Sequence, residues 1–374
     1  MNSLSGTNQI LGVYLTDTLS PGKLLHFTGS VRYNRSTETL NGFSVDTDVG
    51  DVGSGFNDAA PLTGNHTFSR VNPAIGFTVT PTQALTLYAD YNQASRTPTV
   101  IELGCANPAE PCGLPNDFAS DPNLDQVVAR TVEAGIRGQL ADQALQWSLD
   151  VFHTLNRNDI QFVATTTSQG YFANVGNTRR QGLDLALGGK LGELNWHLVY
   201  SLVEATYQSS FGVDAESNST ADADGNIVVR PGDYIPLIPR NTGRLVLDYA
   251  ATPQWDVGAD LIVSSGSYLH GDENNANMVG GTNGEGAYVT GSGWVGGYAV
   301  VNLNSTYHVL KSLDVFLRLD NLFNRDYATA GFLTDNSFNP DGSFRFDPDD
   351  WTNENAVSPA APRAVWAGLR LHWD

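Results

Sequence analysis

The sequence predicts an all-β fold, the wall of an antiparallel transmembrane β-barrel with about thirteen strands, and three observations lead to it. Apolar residues recur at every second position over segments of about ten residues, the period that sends successive side chains to opposite faces of a strand. The segments are joined alternately by tight turns of about two to four residues and by polar stretches mostly of about fifteen to forty, which is the pattern of short periplasmic turns and long extracellular loops. Only 16% of residues are charged and 10% are aromatic. No apolar run is long enough for a transmembrane helix, whereas strands that are apolar at alternate positions hide in a mean hydropathy of -0.22.

In chain order, 7–18 and 23–33 form the first hairpin around Leu19-Ser20-Pro21-Gly22. In its second strand Leu25, Phe27, Val31 and Tyr33 oppose His26, Thr28, Ser30 and Arg32. The next pair is 69–80 and 84–94, turning at Pro81-Thr82-Gln83, and the third is 130–140 with 145–155. A fourth runs over 173–190 and 195–207 around Leu191-Gly192-Glu193, and a fifth over 241–250 and 255–268 around Thr252-Pro253. The sixth joins 298–309 to 313–323, and a last strand, 363–373, follows a loop of Asp, Asn and Phe. Trp147, Trp196 and Trp255 sit just after short turns, where an aromatic girdle belongs. Charges of both signs, among them Asp90, Glu133, Arg137, Asp150, Asp184 and Arg244, collect on the other face and fit a hydrated lumen better than a dry core.

The formal charge of -20 argues against nucleic acid and anionic surfaces as partners. The first residues lack a basic stretch followed by an apolar one, so they do not read as a signal peptide. Two cysteines, Cys105 and Cys112, lie in one Pro- and Asn-rich loop, which favours a small disulfide made in an oxidising compartment over two free thiols or a metal site. No hydrolase, zinc-protease or phosphate-loop motif is present, so no catalytic residue is assigned, and an enzyme is not expected. The histidines are scattered with no ligand spacing, so no metal site or cofactor is assigned.

Several segments, in order, resemble the barrel of TonB-dependent outer-membrane receptors. They are Tyr88-Ala89-Asp90-Tyr91 with Ser95-Arg96-Thr97-Pro98 and Glu102-Leu103, then Asp121-Pro122-Asn123-Leu124 and Glu133-Ala134-Gly135. Phe172-Ala173-Asn174-Val175-Gly176 with Arg180-Gln181-Gly182-Leu183-Asp184 continues the likeness, as does Ile235-Pro236-Leu237-Ile238-Pro239-Arg240. Asp320-Asn321-Leu322-Phe323 with Tyr327 and Gly331 closes it, ahead of a final aromatic-tipped strand. The resemblance implies that 1–374 is the C-terminal portion of a 22-stranded barrel, without the plug domain and first strands, in the outer membrane of a Gram-negative bacterium. It implies active uptake of a ferric siderophore or a similar scarce nutrient, energised by the TonB complex through the plug. Outer-membrane lipid and lipopolysaccharide are the surrounding partners. The alternatives are a passive porin-like channel and a soluble adhesive β protein.

Arg96 and the box at 121–124 resemble paired segments of haem receptors, which hold a histidine between them; none lies between Arg96 and Leu124, and haem is disfavoured. Asp222-Ala223-Asp224-Gly225-Asn226 resembles part of a calcium loop but lacks the closing Glu, so an Asp/Gly turn is expected. The last long loop mixes acids, Asp335, Asp341, Asp347, Asp349 and Asp350, with Phe332, Phe338, Phe344, Phe346 and Trp351. Aromatics in so polar a segment mark these five, with Arg96, as candidate extracellular ligand contacts.

Overall fold

The structure is a computed structural model that describes residues 3–45, 59–61, 63–107, 112–113, 124–140, 144–164, 169–284, 286–347 and 350–373. Thirteen strands follow one another as neighbours in one antiparallel sheet. They are β1 Ser3–Leu19, β2 Leu25–Val45, β3 Gly64–Thr82, β4 Leu85–Arg96, β5 Val127–Leu140, β6 Leu145–Arg157 and β7 Thr178–Leu191. The remainder are β8 Leu194–Tyr207, β9 Asn241–Thr252, β10 Trp255–Ser264, β11 Tyr298–Leu310, β12 Leu313–Asp320 and β13 Ala364–Leu371. A short strand at Ala59–Pro61 adds to β2. Every neighbouring pair is antiparallel, and the described residues show no pairing between β1 and β13.

The register turns the alternation of each strand into two continuous faces. Phe27, Phe77, Ala89, Ala134, Val151, Leu183 and Leu202 stand directly opposite one another across β2 to β8. Leu198, Leu245, Leu261 and Val301 extend this apolar face over β8 to β11, and Leu303, Leu319 and Val365 carry it to β13. Asp90 faces Glu133, and Asp150 faces Asp184, on the other side. A slip of one residue in any pair would exchange these faces, so the apolar pattern fixes the register.

Strand length is uneven in a way that builds the loop end. β2 has 21 residues and β12 has 8. At ~3.3 Å per residue β2 reaches roughly 70 Å, far beyond the ~25 Å apolar band of a membrane barrel. The extended tops carry conventional cores. Leu40 on β2 packs with Leu103, Ala106, Leu124, Val127 and Ile160, and a second cluster joins Val163, Val175, Tyr207, Ile227, Val229 and Ile235.

Three expected strands are shorter than their periodicity implies. The stretch 173–190 breaks between Asn174 and Thr178: Gly176 sits at φ 93°, and Gln169–Asn174 joins Ile160–Ala164 and Cys112–Gly113 in a separate sheet. The stretch 255–268 breaks after Ser264, and Ser267–Tyr268 pairs with Trp294–Val295 instead. The stretch 313–323 stops at Asp320 because Asn321 adopts φ 51° and its side chain caps the following turn through Arg325 N.

Candidate functional site

The long connections converge at one end of the sheet, and that end is built from local signals upward. Pro98 keeps Thr97 out of helical conformation, and Thr99 starts a single helical turn, α1 at Val100–Leu103. The Thr99 hydroxyl accepts the Glu102 N–H, and the Glu102 carboxylate accepts the Thr99 N–H at 2.7 Å, a reciprocal cap. Arg96, at the end of β4, places Nη1 2.7 Å from Glu102 Oε2. Burial pushes the Glu102 carboxyl up, but the Arg96 guanidinium and the Thr99 N–H outweigh it and hold the group below its usual value. Leu103, fully buried, anchors the turn in the cluster around Leu40. Cys105 and Cys112 are joined by a disulfide just beyond it. Of the box at 121–124 only Leu124 is described, and it packs in the same cluster; 121–123 lie outside the described residues. The structure thus binds the guanidinium of Arg96 to a cap, with 46% of its side chain still exposed.

Three long connections, 208–240, 265–297 and 321–363, interlock into one lid. Asn218 donates through Nδ2 to the Gly271 carbonyl at 2.8 Å and to Asp272 Oδ1 at 3.3 Å. Asn277 Oδ1 accepts the Ser219 N–H at 2.9 Å, and Asn283 Nδ2 donates to the Glu216 carbonyl at 2.8 Å. The third connection joins through Leu333 N to the His270 carbonyl at 2.8 Å and through Asn353 N to the Tyr288 carbonyl at 3.0 Å. Ser217 Oγ reaches Asp335 Oδ1 at 3.3 Å. Asp272 is the hub, 1% exposed, its Oδ1 also accepting the N–H groups of Ala276 and Asn277 at 2.9 and 3.0 Å. Burial pushes its carboxyl up to about 6 in spite of those donors. Sequence reasoning missed this hub; the run Asp272-Glu273-Asn274-Asn275-Ala276-Asn277 is its signal, since these side chains hydrogen-bond nearby backbone groups.

The candidate aromatics divide. Phe332 lies on the strand Ala328–Asn336, bridged to His270 and half exposed. Phe338, Phe344 and Phe346 form an edge-to-face chain, with ring centroids 5.7 and 5.3 Å apart. Phe346 is 90% exposed. Trp351 instead turns inward and donates Nε1 to the Arg345 carbonyl at 3.0 Å. Arg345 fixes this tip through the carbonyls of Asn336 and Asp350 and the hydroxyl of Thr352. Of the acids here, Asp335 holds Ser217, and Asp341 caps Ser343 and is held below its usual value by that bond; 349 lies outside the described residues. The stretch at 222–226 is a turn: Asp222 Oδ1 accepts the N–H groups of Asp224 and Asn226 at 3.0 and 2.9 Å, and Gly225 has φ 79°.

Below the lid, the polar face holds open cavities between side chains of the wall. One of about 460 Å³ is lined by Thr86, Arg137, Gln146, Ser148 and His197, and another of about 340 Å³ by Thr78, Tyr88, Asp90 and Arg137. Tyr88 donates to the carboxylate of Asp150. Arg137 rests over the Tyr88 ring at 5.7 Å.

Tight turns at one rim, a polar inner wall and an interlocked lid of long connections define the wall of a large receptor-type β-barrel. Residues 2–322 match the family described as TonB dependent receptor-like, beta-barrel, and the chain belongs to that family. A similar protein is the probable TonB-dependent siderophore receptor PiuA of Acinetobacter baumannii, 24% identical over 280 residues, which are 74% of this chain and 33% of PiuA. The metal-pseudopaline receptor CntO of Pseudomonas aeruginosa is 27% identical over 251 residues, 67% of this chain and 28% of CntO. The crystal structure of the ferric-catecholate import receptor Fiu of E. coli K12, in its closed form, superimposes with a TM-score of 0.67 at 19% identity, covering 99% of this chain and 45% of Fiu. The chain spans a third or less of the length of these two curated relatives.

Proposed function

We propose that this chain forms part of the wall and the extracellular lid of an outer-membrane receptor that takes up a ferric siderophore or a similar metal chelate with energy from TonB. The observation that carries the reading is the lid: three connections locked by side-chain amides over a polar-lined wall make a capture surface, which a passive channel does not need. The names of PiuA, CntO and Fiu support a metal chelate as the cargo. In this reading the apolar face meets lipid, and the strand tops with the lid face the outside of a Gram-negative cell. β1 and β13 run in the same direction, so antiparallel closure of the wall takes an odd number of further strands. We place the chain as the C-terminal portion of such a barrel, with a plug domain supplied by the rest of the receptor. Phe338, Phe344 and Phe346 are the lid groups placed to meet the ligand; Arg96 and Trp351 shape the mouth from behind.

The test is uptake of radiolabelled iron, offered as defined ferric chelates, by iron-starved cells whose only siderophore receptor is the protein containing this chain. Accumulation that stops when the TonB complex is deleted supports the proposal. Accumulation that persists without TonB, together with steady conductance in a planar bilayer, replaces it with a passive channel.

A further inference from the structure

The exposed rings of the lid stand in a surface that has acids in excess and most of its arginines engaged elsewhere. The connections 208–240, 265–297 and 321–363 hold 15 Asp and Glu against 5 Arg and no Lys, a formal charge of -10 out of the chain's -20. Of these arginines, Arg240 is bound to Glu204 at 2.7 Å. Arg345, between Phe344 and Phe346, is half-buried, and its guanidinium is taken up by neutral oxygens. These are Asn339 Oδ1 at 2.9 Å, the carbonyls of Asn336 and Asp350 at 3.3 and 3.2 Å, and Thr352 Oγ1 at 2.7 Å. Arg325 and Arg363 stand at the foot of the third connection, where Asn321 and Asn324 accept their backbone N–H groups at 2.8 and 2.9 Å. Arg230 is exposed, but the carboxylate of Asp233 accepts its backbone N–H at 2.7 Å and so lies beside it.

The tip of the third connection repeats this arrangement at short range. Phe338 and Phe344 are bridged partners, and Asp341 sits in the turn between them, where its Oδ1 accepts the Ser343 N–H at 2.9 Å. Asp347 directly follows Phe346, and Asp350 gives its backbone carbonyl to Arg345. All three acids are exposed, as are the three rings. The face of an aromatic ring is its electronegative part, so exposed rings in the company of carboxylates attract a cation on both counts and repel an anion. The wall below has the same sign. Asp90, Glu133, Asp150 and Asp184 share its polar face, while Arg244 is held by both oxygens of Asp260 at 2.8 and 2.9 Å.

We propose that the cargo is a positively charged ferric chelate, a tris-hydroxamate that keeps a free ammonium group, and that Phe338, Phe344 and Phe346 receive the ammonium with Asp341, Asp347 and Asp350 as its counter-charges. Three hydroxamate monoanions balance ferric iron, so the ammonium makes the complex a monocation. Three catecholate dianions leave a trianion, which the same surface repels. The catecholate cargo in Fiu's name is thus not expected of this chain. The carboxylates act on encounter as well as on the bound state, because their field reaches about a Debye length, ~8–10 Å, beyond the rings. The inference rests on the uptake of a ferric chelate proposed above and narrows its class.

The test uses the full receptor and the ferric complexes of one linear tris-hydroxamate with its terminal amine free, N-acetylated or N-succinylated. These are a monocation, a neutral complex and a monoanion around the same iron centre, and a ferric tris-catecholate is the fourth ligand. Dissociation constants read by fluorescence quenching should rise in that order, with the succinylated complex at least about tenfold weaker than the free amine. The association rate of the amine complex should fall as ionic strength rises from ~0.01 to ~0.15 M, and that of the succinylated complex should rise. D341N/D347N/D350N keeps the side-chain shapes and should bring those two complexes within about threefold of each other. If that variant does not fold, as judged by heat-modifiable gel mobility, the opposite salt dependences of the wild type decide. Equal or tighter binding of the succinylated complex or the tris-catecholate by the wild type, or an unchanged preference in the folded variant, overturns the inference. TonB-dependent uptake of the tris-catecholate with the amine complex refused overturns it and leaves the proposed function standing. Absence of TonB-dependent uptake for every ferric chelate removes both.

Discussion

Arg96 and Glu102 meet at 2.7 Å where β4 gives way to the connection toward β5, and the same carboxylate closes the cap of α1. This makes Arg96 a brace for the mouth. R96A and E102A should each loosen the turn, with the loss of the cap in E102A costing about 1 kcal/mol locally, while ligand affinity changes little. Glu102 titrates below its usual 4.5 in the folded protein, so its contribution is complete above that pH and is lost as pH falls through the lower folded value. Protection of the amides of 99–105, after correction for intrinsic exchange, should therefore fall on acidification in the wild type and not in E102A.

Asp272 gives the opposite sign. Its carboxyl is raised from 3.8 to about 6, so the lid is favoured with the group protonated, a contribution complete below 3.8 and lost as pH rises through about 6. The difference amounts to at most about 3 kcal/mol. Protection of the amides of 271–283 should be greater at pH 5 than at pH 7.5 after correction for intrinsic exchange. D272N, which keeps the accepting oxygen but cannot ionise, should show no such dependence.

The exposed ring chain predicts a loss confined to binding. F344A/F346A removes two solvent-facing rings that add little to the lid's own packing, so the melting temperature should stay within about 2 °C of wild type, as for surface substitutions. The dissociation constant for the ferric chelate proposed as cargo, measured by intrinsic fluorescence quenching, should rise by about tenfold, the ~1.4 kcal/mol expected of one aromatic contact. An unchanged constant would remove these residues from the ligand surface.

Gly182 is fixed by space. A Cβ there would collide with the backbone carbonyl of Leu202 and press on the Phe152 ring, and neither neighbour is the free end of a flexible chain. G182A should lower the yield of folded, heat-modifiable barrel and cost at least about 2 kcal/mol by analogy with overpacking. G192A, in the open turn between β7 and β8, meets no atom, and with φ 60° its cost is conformational alone, about 1 kcal/mol.

The disulfide closes a loop with a sequence separation of 7. C105S/C112S should release roughly 2 kcal/mol of loop constraint and make residues near 105–112 the first site of limited proteolysis, leaving the wall intact.

Much of the fold was legible because it is written locally. Leu145, Trp147, Leu149 and Val151 declare a strand and its apolar face without reference to any partner, and Leu191-Gly192-Glu193 declares the turn that follows β7. The ends of strands were less legible. The alternation of 173–190 runs on through Gly176, and only the competing sheet with Ile160–Ala164 shows that its first part belongs elsewhere. The mouth was half legible: Thr99 and Glu102 have the spacing of a cap, but nothing in the chain says that Arg96 points at that cap instead of at solvent.

The sequence by itself determined that this is a strand-built wall with a polar and an apolar face, because alternation and turn chemistry act over a few residues. The tertiary structure decided what those faces bring together. Asn218 finds Asp272, and Arg240 finds Glu204, through contacts between distant segments. Those contacts depend on register, and register is settled by whole strands matching their apolar faces at once. A single segment cannot carry that information, which is why the lid's hub is visible only in the assembled structure.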